Sequence, residues 1–395
     1  MSKFKFHALI SAVLLISVVF FGLVGLSQSP HPTVRLTTDP PISQVLPFEA
    51  EADTPLGSHK PTSPTSLQLQ AVDAVGKPLE NTKIHLQIQT PPRNIWLTTD
   101  FPIVEGTKLL DLEANAPQGK LVVQQTLPIR GRYELLVNVT PLSVGAFAPF
   151  EQTITFNLPE NPLKYKYFGI LVVILLIVGF GGGWVIGGSQ AIQPGEIAPS
   201  RVRLLLSGAI IVAIAALIFI NVNAEMAESH MSHMSEPAPK TDNSGIGESQ
   251  GLKAQLSGDT SATVGIPAKL QLQVTDTTTN EPATNVLLNI KATQLEENWV
   301  AFAYQGTPDS AGQLKWLSEF FDGAPHSLEV EVSPQPNAIR QFQPFKVKKE
   351  IEVEAVSPPL SVRFIGLAYF TIFVIIGLLI GMRVRQLRGQ REART

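Results

Sequence analysis

The stretch SLQLQAVD, residues 66–73, alternates apolar and polar side chains, because Leu67, Leu69 and Ala71 are separated by glutamines. A period of two places alternate side chains on opposite faces of a β-strand, so one face is predicted to be buried and the other solvated. The same alternation recurs in IHLQI, residues 84–88. Short strands of this kind, separated by Gly and Pro turns, predict an antiparallel sandwich of about seven short strands.

This opening stretch has a second copy, KLQLQVTD, at residues 269–276. Next along the chain, KPLENTKIHL at 77–86 is matched by EPATNVLLNI at 281–290. Farther on, YELLVNVTP at 133–141 is matched by SLEVEVSP at 327–334. The matches keep the same order in both segments. We therefore expect two sandwiches that arose from an internal duplication.

Four uncharged apolar runs surround these segments. They cover residues 8–26, 168–188, 204–220 and 364–382. Each run is close to the ~20 residues that a helix needs to cross the hydrocarbon core of a bilayer. The predicted fold class is therefore a mixed membrane protein with four transmembrane α-helices and two all-β Ig-like sandwiches.

The basic residues beside the apolar runs predict the orientation of the chain. The short flanks carry Lys3, Lys5, Arg201, Arg203, Arg383, Arg385, Arg388, Arg391 and Arg394. Because short cytoplasmic flanks are rich in Lys and Arg, both termini are predicted to be cytoplasmic and both soluble segments extracytoplasmic, or periplasmic in a bacterium. Lys164, Lys166 and Arg363 oppose this assignment, but they end long translocated segments, to which the rule applies weakly.

The first apolar run has two interpretations. A basic start, an apolar stretch and then Ser27-Gln28-Ser29 are also typical of a cleaved signal peptide. An uncleaved anchor is favoured, because 19 apolar residues are long for a signal core and no clear small-x-small cleavage site follows.

The predicted domain organisation follows from these runs and matches. It comprises a membrane anchor (1–26), a proline-rich linker (27–62), a first sandwich (63–162), a second membrane helix (168–188), a cytoplasmic loop (189–203), a third membrane helix (204–220), a linker containing His and Met (221–250), a second sandwich (251–358), a fourth membrane helix (364–382) and a basic cytoplasmic tail (383–395).

The second soluble segment combines the turn TDTTTNEPATNV, residues 275–286, with the strand pattern TPDSAGQLKWLSEFFDGAPHSLEVEV, residues 307–332. In these features it resembles the small Ig-like family called YtkA-like, which is related to the extracytoplasmic part of FixH proteins. The resemblance covers mainly residues 251–335 and extends to 64–140. It implies an extracytoplasmic module of the kind found near respiratory oxidase assembly and copper handling, and it assigns no residue a role.

Composition and motifs exclude several classes of function. The formal net charge of −3 supplies no basic field, so nucleic acid is not an expected partner. The chain has no cysteine, which excludes disulfides and thiolate metal sites. It has no Gly-x-Ser-x-Gly, His-Glu-x-x-His or Walker motif, so it is predicted not to be an enzyme, and no small-molecule substrate is indicated. The apolar runs contain no Asp, Glu, Lys, Arg or His, which argues against a transport pathway.

The stretch AEMAESHMSHMSEP, after the third apolar run, is the predicted metal site. It contains Met226, His230, Met231, His233 and Met234. If the preceding helix continues, four of them, all but Met231, fall on one face at i, i+4, i+7 and i+8. Thioether and imidazole ligands suit copper, Cu(I) in particular. The alternative is a flexible linker, or a face that packs against the sandwich or lipid headgroups.

Glycines recur at four-residue spacing in two of the apolar runs. They are Gly179, Gly183 and Gly187 in the second run and Gly377 and Gly381 in the fourth. This spacing predicts close packing of those helices, unless glycine is merely part of the membrane composition.

Two histidines lie within the predicted strands. His85 falls on the polar face of a strand and is predicted to be solvated. His326 has the same parity as the core-facing Leu328, and its counterpart in the first segment is Tyr133. It is predicted to be a rim side chain with an apolar body and a polar tip, with metal ligation as the alternative.

These observations predict a non-enzymatic integral membrane protein that presents two extracytoplasmic sandwiches as a binding or accessory factor. Its expected partners are the lipid bilayer and a membrane protein. Copper handling for a membrane complex is the narrower prediction. The alternative is a purely structural scaffold or interaction subunit that uses no metal.

Overall fold

Two eight-stranded β-sheets and two long helices make up the computed structural model, which describes residues 31–49, 64–94, 96–160, 162–188, 197, 199–208, 210, 245–336 and 338–392. The elements of the first part are β1 (Thr33–Asp39), β2 (Thr65–Val72), β3 (Thr82–Gln89), β4 (Lys108–Ala116), β5 (Lys120–Gln125), β6 (Gly131–Pro141), β7 (Phe150–Leu158) and α1 (Pro162–Ile186). Those of the second part are β8 (Ile246–Ser249), β9 (Leu252–Gly258), β10 (Ser261–Thr263), β11 (Ala268–Asp276), β12 (Val286–Gln294), β13 (Val300–Gly306), β14 (Gln313–Ser318), β15 (His326–Pro334), β16 (Phe345–Glu354) and α2 (Leu360–Glu392).

Each sheet contains strands from both soluble segments. We call β1–β7 the first half and β8–β16 the second half. One sheet has the order β1-β2-β5-β13-β12-β15-β16-β10, and the other has the order β7-β6-β3-β4-β14-β11-β9-β8. Buried and half-exposed residues alternate along strands such as β2 and β3, so each strand turns one face inward. The buried faces form one hydrophobic core that both halves share.

The two halves have the same strand order. In the first half β1-β2-β5 and β7-β6-β3-β4 belong to different sheets, and the second half repeats this arrangement as β9-β11-β14 and β16-β15-β12-β13. The edge strand β5 pairs with β13, and β4 pairs with β14, both antiparallel. Because β5 corresponds to β14 and β4 to β13, these two seams are equivalent and relate the halves by an approximate two-fold axis.

The predicted fold class is wrong in two respects. The halves do not form separate sandwiches, because their edge strands join across the seams; alternation marks the buried face of a strand but does not identify its neighbour. Instead of four membrane-length helices, the described residues contain two, Lys164–Ile186 and Leu360–Arg391. The first apolar run lies outside the described residues, and the third is described only at 204–208 and 210, where it is helical.

Parts of two predicted linkers are strands. Residues 33–39, assigned from sequence to the proline-rich linker, form β1 and pair with β2 along their whole length. Residues 246–249, assigned to the second linker, form β8. The prolines nearest to β1, Pro32 and Pro40, lie before and after the strand, so they leave its ladder of hydrogen bonds intact.

An immunoglobulin-like feature marks the start of β6. The Tyr133 hydroxyl donates a hydrogen bond to the Ile129 carbonyl at 2.8 Å and accepts one from the Ile129 amide at 3.1 Å. This tyrosine corner is typical of Ig-like sandwiches. At the equivalent position of the second half, the Nδ1–H of His326 donates to the Ala324 carbonyl at 2.8 Å. Each half therefore fixes the turn before this strand with a ring that bonds to nearby backbone.

The end of the sheets from which the helices leave, called the base, holds a cluster of aromatic rings. Phe48 of the first half lies 4.9 Å from Trp299 and 5.2 Å from Phe321 of the second half, between ring centroids. Phe101 of the first half lies 5.6 Å from Phe321. His326 is 1% exposed and contacts Trp299 edge-on. Its predicted rim position is therefore wrong, because this imidazole belongs to the core of the base.

The two long helices leave the base in the same direction, since α1 follows β7 and α2 follows the equivalent strand β16. They pack in parallel, with Gly179 against Val374 and Gly183 against Leu378. A Cβ atom at either glycine would overlap a carbonyl oxygen of α2. The predicted packing of the two glycine-bearing helices is confirmed, and it depends on direct contact between the backbones.

Candidate functional site

The predicted copper ligands, Met226, His230, Met231, His233 and Met234, lie outside the residues that the structure describes. Copper binding by this segment therefore stays a prediction. Within the described ranges, no group of three or more His, Asp or Glu side chains is arranged to hold a metal ion. The strongest candidate site in those ranges is instead a groove at one of the two seams.

Each seam carries a groove on its outer face. The charged groove, at the β4–β14 seam, has a volume of about 510 Å³ and is lined by His85, Asp111, Glu113, Ser257, Gly258, Lys269, Leu270, Gln271, Lys315, Trp316 and Leu317. The amide groove, at the β5–β13 seam, has a volume of about 830 Å³ and includes Gln118, Lys120, Val122, Gln124, Asn289, Ala303, Gln305 and Gln335 in its lining. The two grooves occupy equivalent positions in the two-fold arrangement.

Asp111 is the centre of the charged groove. Its Oδ1 lies 2.6 Å from Nε2 of His85. Its Oδ2 accepts hydrogen bonds from Nζ of Lys108 at 2.8 Å and from Nε2 of Gln87 at 3.1 Å. The Asp111 side chain is 17% exposed, and that of His85 is 34% exposed. His85 is on the outer face of β3 as its parity predicts, but it is paired with a carboxylate and only partly solvated.

The electrostatics of this groove keep Asp111 ionised. Burial opposes ionisation of Asp111, but hydrogen bonds from Lys108 and His85 outweigh it and hold the pKa of the carboxyl below its ordinary value. On the opposite side of the groove, the second half contributes Lys269 and Lys315. A bound surface would therefore meet carboxylates paired within the first half on one side and the ammonium groups of Lys269 and Lys315 on the other.

The amide groove shows that the seam does not require these charges. Asn289 and Gln305 face each other where the first half pairs His85 with Glu113. Ala303 stands in the place of the central carboxylate. Because the same strand pairing forms with amide and apolar side chains at one seam, the charged set at the other is not explained by the fold, and it is the better candidate for function.

Sequence reasoning missed this groove because the two sides of the groove are far apart in the chain. Asp111 on β4 and Leu317 on β14 are cross-strand partners, and no local pattern connects them. One signal was present in the alignment of the two segments, where His85 is matched by Asn289. A difference in charge at matched polar positions was the available clue.

A second polar cluster lies at the base and joins three elements. The Glu49 carboxylate is fully buried and accepts hydrogen bonds from the amides of Asp100 at 2.9 Å and Arg130 at 2.7 Å. The Arg130 guanidinium lies 3.3 Å from Glu49 and 2.7 Å from Glu160. Burial raises the pKa of Glu49 despite these bonds. Arg130 thus connects the segment after β1, the turn before β6 and the approach to α1.

Glu319 is a buried carboxyl at the seam side of the base. It is 2% exposed, and its Oε1 accepts a hydrogen bond from the Thr107 hydroxyl at 2.8 Å. Its Oε2 has no partner among the described residues. Burial raises the pKa of Glu319 to about 8, so this side chain is mainly protonated at neutral pH.

Replacing Glu319 with Gln is expected to flatten the pH dependence of stability. The pKa of Glu319 is higher in the folded protein than its ordinary value of 4.5. Its contribution to the free energy of unfolding is therefore complete below pH 4.5 and is lost as the pH rises from there to about 8. Gln cannot ionise and still accepts from Thr107, so at pH 8 the variant should be more stable by roughly 4 kcal/mol. Thermal unfolding of the purified full chain in mild detergent at pH 5, 6, 7 and 8 measures the difference. The matched control is Glu113→Gln, which changes an exposed carboxylate and should leave the pH dependence of the Tm as it is in the parent. If the Tm of Glu319→Gln and that of the parent change in parallel with pH, the raised pKa of Glu319 is wrong.

Comparisons with known proteins give no family. No family model matches the chain, and no curated protein matches it. Among solved structures, the adhesin InvE of Yersinia pseudotuberculosis is similar at 10% identity with a TM-score of 0.18, over 81% of this chain and 60% of that one. Trypsin-activated alpha-2-macroglobulin from Escherichia coli is similar at 10% identity with a TM-score of 0.21, over 83% of this chain and 16% of that one. The D0-D1 domain of Intimin is similar at 10% identity with a TM-score of 0.17, over 80% of this chain and 99% of that one. The chain thus spans less than two thirds of the first two, and similarity at this level decides nothing about function.

Proposed function

We propose that this chain is a membrane-anchored, non-enzymatic binding or accessory protein. In this proposal α1 and α2 hold the two-sheet unit at the bilayer surface, and the charged groove receives a partner protein. The observation that carries the proposal is the helix pair. In each helix only 11% of the residues in its most apolar stretch are buried, and this exposed apolar surface supports contact with lipid.

The ends of the helix pair support a membrane-spanning position. Near the base, Tyr165 and Tyr167 are exposed on α1. At the other end, Arg385 and Arg388 lie over the ring of Trp184, at 5.3 and 5.8 Å from its centroid. Tyr167 and Trp184 are 17 residues apart, or about 26 Å along a helix, which is close to the ~30 Å of a hydrocarbon core. Aromatic residues at both interfaces and arginines at the far end favour an orientation with the sheets outside the cytoplasm.

The partner is proposed to be another membrane protein. The helices hold the charged groove at a fixed height above the bilayer, where a neighbouring membrane protein can reach it. Copper handling through the segment from Met226 to Met234 is the narrower form of this proposal, and the clustering of His and Met favours it. Docking without metal is its rival, and the copper content of the purified full chain separates the two.

A paired crosslinking experiment tests the proposed function. A photoreactive amino acid is placed at Lys315 in the charged groove and, in a second variant, at the equivalent Val122 in the amide groove. In native membranes washed with carbonate, we expect the chain to remain in the pellet and the Lys315 probe to form one discrete adduct that the Val122 probe does not form. Release of the chain by carbonate would overturn the anchoring, and identical adducts from both probes, or none, would overturn the role of the charged groove.

A further inference from the structure

We infer that Trp96 and Leu97, at the tip of the loop between β3 and β4, lie in the interface of the bilayer beside α2. This inference rests on the proposed membrane anchoring and adds a second point of contact with lipid. Trp96 is 69% exposed and Leu97 is 68% exposed. Two neighbouring large apolar side chains in water are costly, whereas Trp is favoured at a membrane interface.

Asn94 bonds to the backbone of both apolar residues of the tip. Oδ1 of Asn94 accepts hydrogen bonds from the amide of Trp96 at 3.0 Å and from the amide of Leu97 at 3.3 Å. The Asn94 side chain therefore satisfies both backbone amides while both apolar side chains remain exposed.

Two contacts place the tip beside the helices. The Tyr369 hydroxyl donates a hydrogen bond to the Trp96 carbonyl at 2.8 Å. Tyr369 is nine residues into α2, or about 13 Å from its start, and helical side chains tilt back toward the N-terminus. On α1, Nζ of Lys164 donates to Asp100 of the same loop at 2.6 Å. The tip thus reaches past the first turns of α2 to the level where its apolar run begins.

The second half shows that the fold does not need this tip. Residues 90–107 connect β3 to β4, whereas only 295–299 connect the equivalent strands β12 and β13. In that short loop Trp299 is buried, with 1% exposure. The exposed Trp-Leu pair is therefore an addition on one side of the base, and its position against the helices fits contact with lipid headgroups and upper acyl chains.

Tryptophan quenching by brominated lipid tests the inference on the full chain. The chain has 4 Trp, of which Trp299 and Trp316 are buried in the core. The Trp184→Phe variant therefore keeps Trp96 as its one tryptophan outside the core, and the Trp96→Phe variant keeps Trp184. Quenching by lipid in each variant is assigned to that tryptophan. Both are reconstituted in phosphatidylcholine vesicles with bromine atoms near the headgroup end of the acyl chains. Trp96 is then one of three remaining tryptophans, so we expect Trp184→Phe to lose part of its emission, up to about a third, relative to unbrominated vesicles.

The controls distinguish the tip from the anchor. In the Trp96→Phe/Trp184→Phe background, Val75→Trp places a tryptophan at the opposite end of the sheets, where Val75 is 92% exposed, and it should not be quenched. Quenching in Trp96→Phe with none in Trp184→Phe would overturn the interfacial tip and leave the anchoring intact. Quenching in neither variant would overturn both. Acrylamide quenching of Trp96 undiminished by vesicles would place the tip in water and likewise overturn the inference.

Discussion

A leucine at Gly183 is expected to separate α1 from α2. A Cβ atom at Gly183 would overlap the carbonyl oxygen of Leu378, and backbone cannot move aside as a flexible side chain can. Helices in lipid associate largely through close packing, so the loss of backbone contact removes most of the attraction. The expected result is a pair of helices that no longer pack along their length, although each stays attached to the strand that precedes it.

Crosslinking measures this separation. Phe168 and Phe373 lie across the helix pair, with ring centroids 6.4 Å apart. The chain has no cysteine of its own, so Phe168→Cys/Phe373→Cys provides the only thiols for a short bismaleimide. Mass spectrometry of the crosslinked peptides should show a loss of at least fivefold when Gly183→Leu is added. The matched control is Gly181→Leu, because a Cβ at Gly181 meets nothing within 4 Å; equal crosslinking in both variants would contradict the packing.

The features that could be predicted from the sequence are those that depend on one strand or one helix alone. Alternation in residues 66–73 predicts a strand with one buried face, and β2 has this pattern. The glycine spacing in α1 predicts a helix face for close approach, and Gly179 lies on it. Both signals are periodicities within one element, which a single sequence displays directly.

The features that could not be predicted from the sequence depend on contacts between elements that are far apart in the chain. The seams join β5 to β13 and β4 to β14, and each pairing spans only three residues on a strand. Nothing in the alternation of a strand distinguishes an exposed edge from an edge that is paired with another half. The charged groove is formed by one of these seams, so it could not be predicted before the seam was known.

The base illustrates the same limit for buried charges. Glu49 precedes Arg130 by 81 residues and lies in the segment that its prolines marked as a linker. Its burial follows from the pairing of β1, which brings the following residues under the turn before β6. Nothing in the sequence of a proline-rich stretch indicates that one of its charged residues will be buried in the folded protein.

Replacing Arg130 with Ala is therefore expected to destabilise the soluble part of the protein strongly. It would leave the fully buried Glu49 carboxylate without its cation, and removing one partner of a buried ion pair typically costs about 3–5 kcal/mol. The Tm of the full chain in mild detergent at pH 7.5 should fall by roughly 10 °C. Because burial already raises the pKa of Glu49, the loss should shrink at lower pH, where this carboxyl takes up a proton.

Two further variants identify the buried charge as the cause. Arg132 is two residues away, its side chain is 66% exposed, and its ion pair with the exposed Glu134 is 4.0 Å long, so Arg132→Ala should change the Tm by little. Glu49→Gln in the Arg130→Ala background removes the unpaired carboxylate and keeps one oxygen, which can accept from only one of the two backbone amides, those of Asp100 and Arg130, that bond to different carboxylate oxygens. This double variant should recover at least half of the lost stability. If it recovers none, the role of Arg130 lies in its packing, its ion pair with Glu160 and its bond to the Thr98 carbonyl, and the account based on the Glu49 charge is wrong.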